Sequence, residues 1–209
     1  MDQQIKGGSH DSVQAKNCTS LEDAILYFEK MKEVFLNINS WDQLFKRSTE
    51  FHVKTGAGID KKTPIQVGDF VAIKIPGPQN RVGDGYDWVQ IVSLEMNETS
   101  DSTSLCLALQ PAKNPHKKNS PCIAHFFTAA AKNYFIIKKE GTKITAEVHG
   151  RNEVANYQNI KISDKLRNFF IAKGGIFGLS KIQWEVWSKN MVDEKILQKC
   201  IKKNQQQNH

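Results

Sequence analysis

Between residues 49 and 154 the apolar residues of this chain tend to recur at every second position. On either side they recur at the spacing of a helix, and this change of period limits the fold more than any other feature. The runs "TEFHVKT" (49–55), "DFVAIKI" (69–75), "DWVQIVSLEM" (87–96) and "TSLCLAL" (103–109) are rich in β-branched and aromatic residues and are bounded by turn residues, which makes them strands. "NYFIIKKEGTKITAEVHG" (133–150) reads as a hairpin. A two-residue turn at Glu140-Gly141 sets Ile137 opposite Ile144 and Phe135 opposite Ala146 on an inward face. The same register puts Tyr134 opposite Glu147 and Lys132 opposite His149 on the other face.

The flanks are helical. In "TSLEDAILYFEKMKEVFLNI" (19–38), Thr19 and Glu22 have the spacing of a capping box, and Leu21, Ala24, Ile25, Phe28, Met31 and Phe35 follow at helical intervals. A short helix is expected after Ser40, anchored by Trp41, Leu44 and Phe45. After residue 160 Ser163 can cap a helix over "DKLRNFFIAK" (164–173) that ends at Gly174-Gly175, and Ser180 with Gln183 can cap another over "KIQWEVWSKNM" (181–191). The class is therefore α+β: a mostly antiparallel sheet, open or closed into a barrel, with helices at the N- and C-terminal ends.

At 209 residues the chain is long enough for one well-filled domain. Residues 1–18 are polar and aperiodic and are expected to be a mobile arm, 19–192 a single α+β domain, and 193–209 a polar, fraying tail. No run of about 18 apolar residues exists, so a membrane span is excluded. The opening residues have neither the apolar stretch nor the small-residue site of a secretion signal, and a cytoplasmic address is the default. Cys18, Cys106, Cys122 and Cys200 lie far apart with no CxxC spacing. The histidines at 10, 52, 116, 125, 149 and 209 form no close pair. No metal site or cofactor is assigned on this pattern. Elbow, P-loop, dinucleotide and zincin motifs are missing as well, so no catalytic residue is assigned.

Charge is divided unevenly. Residues 1–110 hold 11 basic and 15 acidic side chains and residues 111–209 hold 18 and 7, which together give the net +7. A basic half can meet a polyanion, but Arg is scarce there, with only Arg151 and Arg167, and the lysines read first as solvated surface.

The segments "GDGYDWV" (83–89), "IAHFFT" (123–128), "AEVHGRNE" (146–153) and "GLSKIQWE" (178–185), in this order, resemble an uncharacterised family of small bacterial proteins. The resemblance spans about residues 20–192 and implies a complete small protein. It brings no activity, cofactor or site residue with it.

The polar strand end "EVHGRNE" is the first candidate site. Glu147 and His149 share a strand face about 7 Å apart at Cα, within reach of each other, and Arg151 can neutralise an anion. Lys132 and Tyr134 on the partner strand would face them, and Tyr86 on its glycine-flanked loop is free to meet a partner. Arg151 and Asn152 are expected to fix a turn after Gly150 through bonds to backbone, leaving His149 dispensable for folding. The long loop "PGPQNRVGDGY" (76–86) is the other place where function is expected. The leading reading is a non-catalytic binding or protein-interaction module for an unknown protein or small ligand. The alternatives are a small-molecule enzyme with a polar pocket around His149, and weak nucleic-acid binding through the basic half.

Overall fold

A computed structural model of the chain describes residues 1–45, 49–62, 64–75, 80–117, 119–156 and 175–207, without the side chains of 175–180, 206 and 207. Its centre is one antiparallel sheet of seven strands: β1 (Gly8–Asn17), β2 (Glu50–Lys54), β3 (Phe70–Lys74), β4 (Asp87–Glu98), β5 (Ser102–Pro111), β6 (Lys132–Glu140) and β7 (Lys143–Glu153). Their order across the sheet is β1-β7-β6-β5-β4-β3-β2, so β2 to β7 form a meander and β1 closes beside the last strand. The helices are α1 (Leu21–Leu36), a 3-10 helix (Ile38–Phe45), α2 (Gly175–Met191) and α3 (Glu194–Gln207). The α+β class holds, and of its two forms the sheet takes the open one, with β1 and β2 as edges. The outer edge of β2 is closed by other means: Val53 N–H donates to Asn39 Oδ1 at 2.8 Å, and the Val53 carbonyl accepts from Lys61 N–H at 2.9 Å.

The alternation read from the sequence places Phe135, Ile137, Ile144, Ala146 and Val148 on one face, all fully buried. Against that face lie Phe28, Met31 and Phe35 of α1, the 3-10 helix and Trp187 of α2, in one apolar cluster. Trp41 is the hub of this interface. Its ring centroid lies 5.1 Å from Phe135, 5.3 Å from Trp187, 5.9 Å from Phe51 and 6.1 Å from Phe35, and its indole N–H donates to the Val34 carbonyl at 3.0 Å. The space between helices and sheet is thus filled with aromatic side chains.

Several local expectations change. The cap of α1 is Ser20, whose hydroxyl accepts from Asp23 N–H, and Leu21 and Ile25 are about half exposed while Tyr27 and Val34 turn inward. α2 runs unbroken from Gly175, so Ser180 lies inside a helix and not at its start; the helix expected over 164–173 falls outside the described residues. In the hairpin, Glu140 pairs with Lys143 around a Gly141-Thr142 turn, with Gly141 at φ +54°. The register is two residues from the one expected, and because the strand period is two the inward face survives the shift.

The two termini differ most. Residues 8–17, expected in a mobile arm, pair along β7 from Gly8↔Glu153 to Asn17↔Lys143. β1 turns polar groups toward the helices, which is why it shows no apolar alternation. Ser12 Oγ lies 2.6 Å from Ser188 Oγ, and Lys16 Nζ sits 4.0 Å from the centroid of the Tyr27 ring. The tail expected to fray is α3, which buries Leu197 and Cys200 completely. It is also tied to the 3-10 helix by Lys203, whose ammonium is 2.8 Å from both Asp42 carboxylate oxygens.

Candidate functional site

The face of the sheet turned away from the helices carries His149, Tyr134, Ala108, Gln110, Gln90, Trp88, Ala72 and His52, as the strand registers require. Two groups of functional side chains stand on it, three strands apart. The first holds five of the six residues singled out from sequence. His149 places Nε2 3.0 Å from Glu147 Oε2 and Nδ1 2.6 Å from Asp11 Oδ1, and Arg151 Nη2 lies 2.7 Å from the same Asp11 oxygen. Beside them Lys132 Nζ lies 2.8 Å from Asp2 Oδ2, and the Tyr134 hydroxyl accepts from Asp2 N–H at 2.9 Å.

These groups satisfy one another. With a carboxylate at each ring nitrogen, His149 is a donor on both sides, which is the imidazolium form. The bond to Glu147 raises its pKa above the usual histidine value, burial opposes the rise, and Asp11 adds to it; Glu147 is lowered by the same bond. A histidine whose folded pKa is raised stabilises fully below its unfolded value near 6.5, and the contribution is lost as pH rises through the folded value. The cluster is thus a clasp that holds residues 2–11 on the sheet.

The strand end beyond it is no turn. β7 continues to Glu153 through a bulge opposite Gly8 and His10, with Asn152 at φ +55°. Asn152 Oδ1 accepts from Ile5 N–H at 2.7 Å and Lys6 N–H at 3.2 Å, and its amide donates to the Gln3 carbonyl at 3.1 Å. Arg151 Nη1 donates to the carbonyls of Gly150 and His10. Asn152→Ala should therefore cost about 1–3 kcal/mol, from lost hydrogen bonds and from alanine at positive φ. Asn152→Gly should recover the backbone part. An unchanged urea midpoint for Asn152→Ala would show that the clasp holds nothing. His149, expected to be dispensable, is 8% exposed and doubly bonded, so His149→Ala is now also expected to destabilise by leaving Glu147 half-buried without its partner.

The second group forms around Tyr86. Here six segments converge on a cavity of about 330 Å³: His52 and Lys54 on β2, Asp60 after it, Ala72 on β3, Asp84 and Tyr86 on the loop before β4, Trp88 on β4, and Asn114 and His116 after β5. The loop is tightly braced. Asp84 and Gly85 both take positive φ, at 56° and 92°, and a side chain at Gly83 would lie 1.8 Å from the Tyr86 carbonyl oxygen, so only glycine fits there. Asn80 Oδ1 accepts from Val82 and Gly83 N–H, and Asn80 Nδ2 donates to Asp87 Oδ1 at 2.9 Å. Trp88 donates its indole N–H to the Gly83 carbonyl at 3.0 Å, fixing its ring as one wall.

Around the cavity the rings stand at steep angles to one another. His52 meets Tyr86 at 89° with centroids 5.9 Å apart, Tyr86 meets Trp88 at 66° and 6.3 Å, and Trp88 meets His116 at 75° and 5.7 Å. Of the polar groups, Lys54 Nζ lies 2.6 Å from Asp60 Oδ1, while Asp84 accepts from Asn114 Nδ2 at 2.9 Å and from Lys117. A wider hollow of about 560 Å³ over the edge of β2 shares His52 and Asp60 with this cleft.

Sequence reading found Tyr86 and the loop that carries it, but missed His52, Asp60, Asn114 and His116. The length of the loop was the one local signal. The others are distant in sequence and are gathered only by the sheet. His149 and the loop at 84–87 do not share a pocket, because β7 and β4 are separated by β6 and β5.

No family model and no curated protein matches the chain. Among solved structures it is similar to the hypothetical protein jhp0584 from Helicobacter pylori, at 9% identity and a TM-score of 0.46 over 88% of this chain and 86% of that one. It is also similar to Ara h 8.0201, at 10% identity and a TM-score of 0.33 over 88% and 99%. Likenesses of this degree carry nothing about the site. Among the described residues no helix is long and apolar enough to cross a membrane.

Proposed function

We propose that the protein is a non-catalytic binding module that seats a small molecule in the cleft between Tyr86, Trp88 and His116. The observation that carries this reading is the convergence of six chain segments on a cavity of about 330 Å³, within the range of small-ligand sites. The reading as a binder follows from what the polar groups already do. Asp84, Asp60 and the Trp88 indole are held by Asn114, Lys54 and Gly83, an arrangement that fixes the walls of the cleft. Three lysines of the second half are already engaged, Lys132, Lys138 and Lys203 with Asp2, Glu140 and Asp42, and pairs of this kind weigh against their serving a nucleic-acid surface.

The test is a titration of the 15N-labelled protein with a library of small ring compounds, reading the Trp88 indole N–H. At least one chemical class should move that resonance in a saturable way, and Tyr86→Ala should weaken the response about tenfold, the effect of losing an aromatic wall. A Trp88 resonance that answers to no compound would sink the proposal.

A further inference from the structure

Residues 1–7 cross β6 and β7 at Lys132, Tyr134 and Asn152, away from the cleft, and are held there mainly through their backbone. Asn152 Oδ1 takes the N–H groups of Ile5 and Lys6, its amide donates to the Gln3 carbonyl, and the Tyr134 hydroxyl accepts from Asp2 N–H. Main-chain groups of this kind are present in other peptides as well, which is how many peptide sites gain affinity with little demand on sequence. Among the described residues two side chains of the segment add to them. Asp2 Oδ2 lies 2.8 Å from Lys132 Nζ, and Gln4 Oε1 accepts from Asn152 N–H at 2.9 Å. The surface thus reads a backbone and one carboxylate.

The segment is also built to leave. All seven residues are exposed, Ile5 to 81% and Met1 to 68%, so no buried apolar side chain anchors it. It ends where the strand ladder begins, at Gly8↔Glu153, and can lift without breaking a pair of β1 and β7. The joint is Gly7-Gly8. Gly7 stands at φ +72°, and a side chain there would lie 2.3 Å from the Glu153 carbonyl oxygen, so the chain turns where only glycine passes. Lys132 and Tyr134 are carried on β6 opposite Arg151 and His149 of β7, and they stay in place when the segment lifts.

From this arrangement we propose that Lys132, Tyr134 and Asn152 form a docking site for a short acidic segment of a partner protein, which residues 1–7 occupy in cis as an internal competitor. The chemistry required of the partner is a carboxylate for Lys132, followed three residues on by two successive main-chain N–H groups for Asn152. The chain carries a net +7, which favours an acidic partner over a second copy of itself.

The experiment titrates an end-blocked peptide of sequence MDQQIKG into the 15N-labelled full chain while the Asn152 side-chain amide is followed. Tethered residues 1–7 have an effective concentration in the millimolar range, so added peptide must compete with them. A full-length chain with Asp2→Lys and Ile5→Pro weakens the competitor and leaves the site untouched, and it should bind the peptide about tenfold more tightly than wild type. Against that chain an Asp2→Asn peptide should bind about threefold more weakly, and Lys132→Ala should erase the difference between the two peptides. Thermal midpoints report whether each variant is folded, and the wild-type titration stands without them. No movement of Asn152 in either chain at about 5 mM peptide overturns the site. Equal affinities for the two peptides overturn the carboxylate requirement. Asn152 shifts that follow the concentration of the wild-type chain alone, with no peptide added, overturn the partner assignment in favour of a second copy.

Discussion

A chain lacking residues 1–17 should unfold at a much lower urea concentration than the full protein, with a loss on the order of 5 kcal/mol, a large part of what holds a domain together. Such a deletion removes a whole strand, registered with β7 from Gly8 to Asn17, and each backbone hydrogen bond of that ladder is worth about 1 kcal/mol net. It also removes Asp11 from His149 and Arg151, Ser12 from Ser188, and Lys16 from the Tyr27 ring. Deleting only residues 1–7 should cost far less, about 1–3 kcal/mol, since that segment is held chiefly through Asp2 and the four bonds to Asn152. Equal midpoints for the full chain and the 1–17 deletion would return these residues to the status of an arm.

The second large effect concerns two buried groups beneath the cleft loops. Burial pushes the Asp87 carboxyl up to about 7 against the opposing bonds from Asn80 and the Phe126 backbone, and burial pushes His125 down to about 3. Asp87 keeps a proton that the unfolded chain releases near pH 4, so its contribution is lost as pH rises from there to about 7. His125 refuses a proton that the unfolded chain takes up near 6.5, so its contribution is lost as pH falls from there to about 3. Between about pH 4 and 6.5 the two slopes are equal and opposite, each about 1.4 kcal/mol per pH unit, and cancel. Asp87→Asn removes one of them. The variant should therefore lose about 2–3 kcal/mol relative to wild type on going from pH 6.5 to 4.5, through His125 alone. Urea midpoints at half-unit steps measure it directly, and parallel curves for the two proteins would mean that Asp87 is ionised in the fold. Above 6.5 Asp87 and His149 act in the same direction, and the wild type should weaken as pH rises through about 7.

The alternation of Phe135, Ile137, Ile144 and Val148 and the heptad-like run from Ala24 to Phe35 were enough to give an α+β chain with those residues at its core, because apolar burial is written into local period. Sequence spacing also put Glu147 and His149 on one strand face, where a bond between them was possible but not required. Local spacing could not show that β1 exists, since its inward residues are His10, Ser12 and polar neighbours whose partners lie on β7 and α2, nor that Asp11 would occupy the imidazole. It could not gather His52, Asp60, Trp88 and His116 either. Residues 64 positions apart become neighbours only when β2, β3 and β4 are laid side by side and the loops above them close. Period is a property of adjacent residues and is decided by solvent alone. A polar strand's partner and a cleft's walls depend on which distant groups satisfy each other, and that the chain settles only in folding.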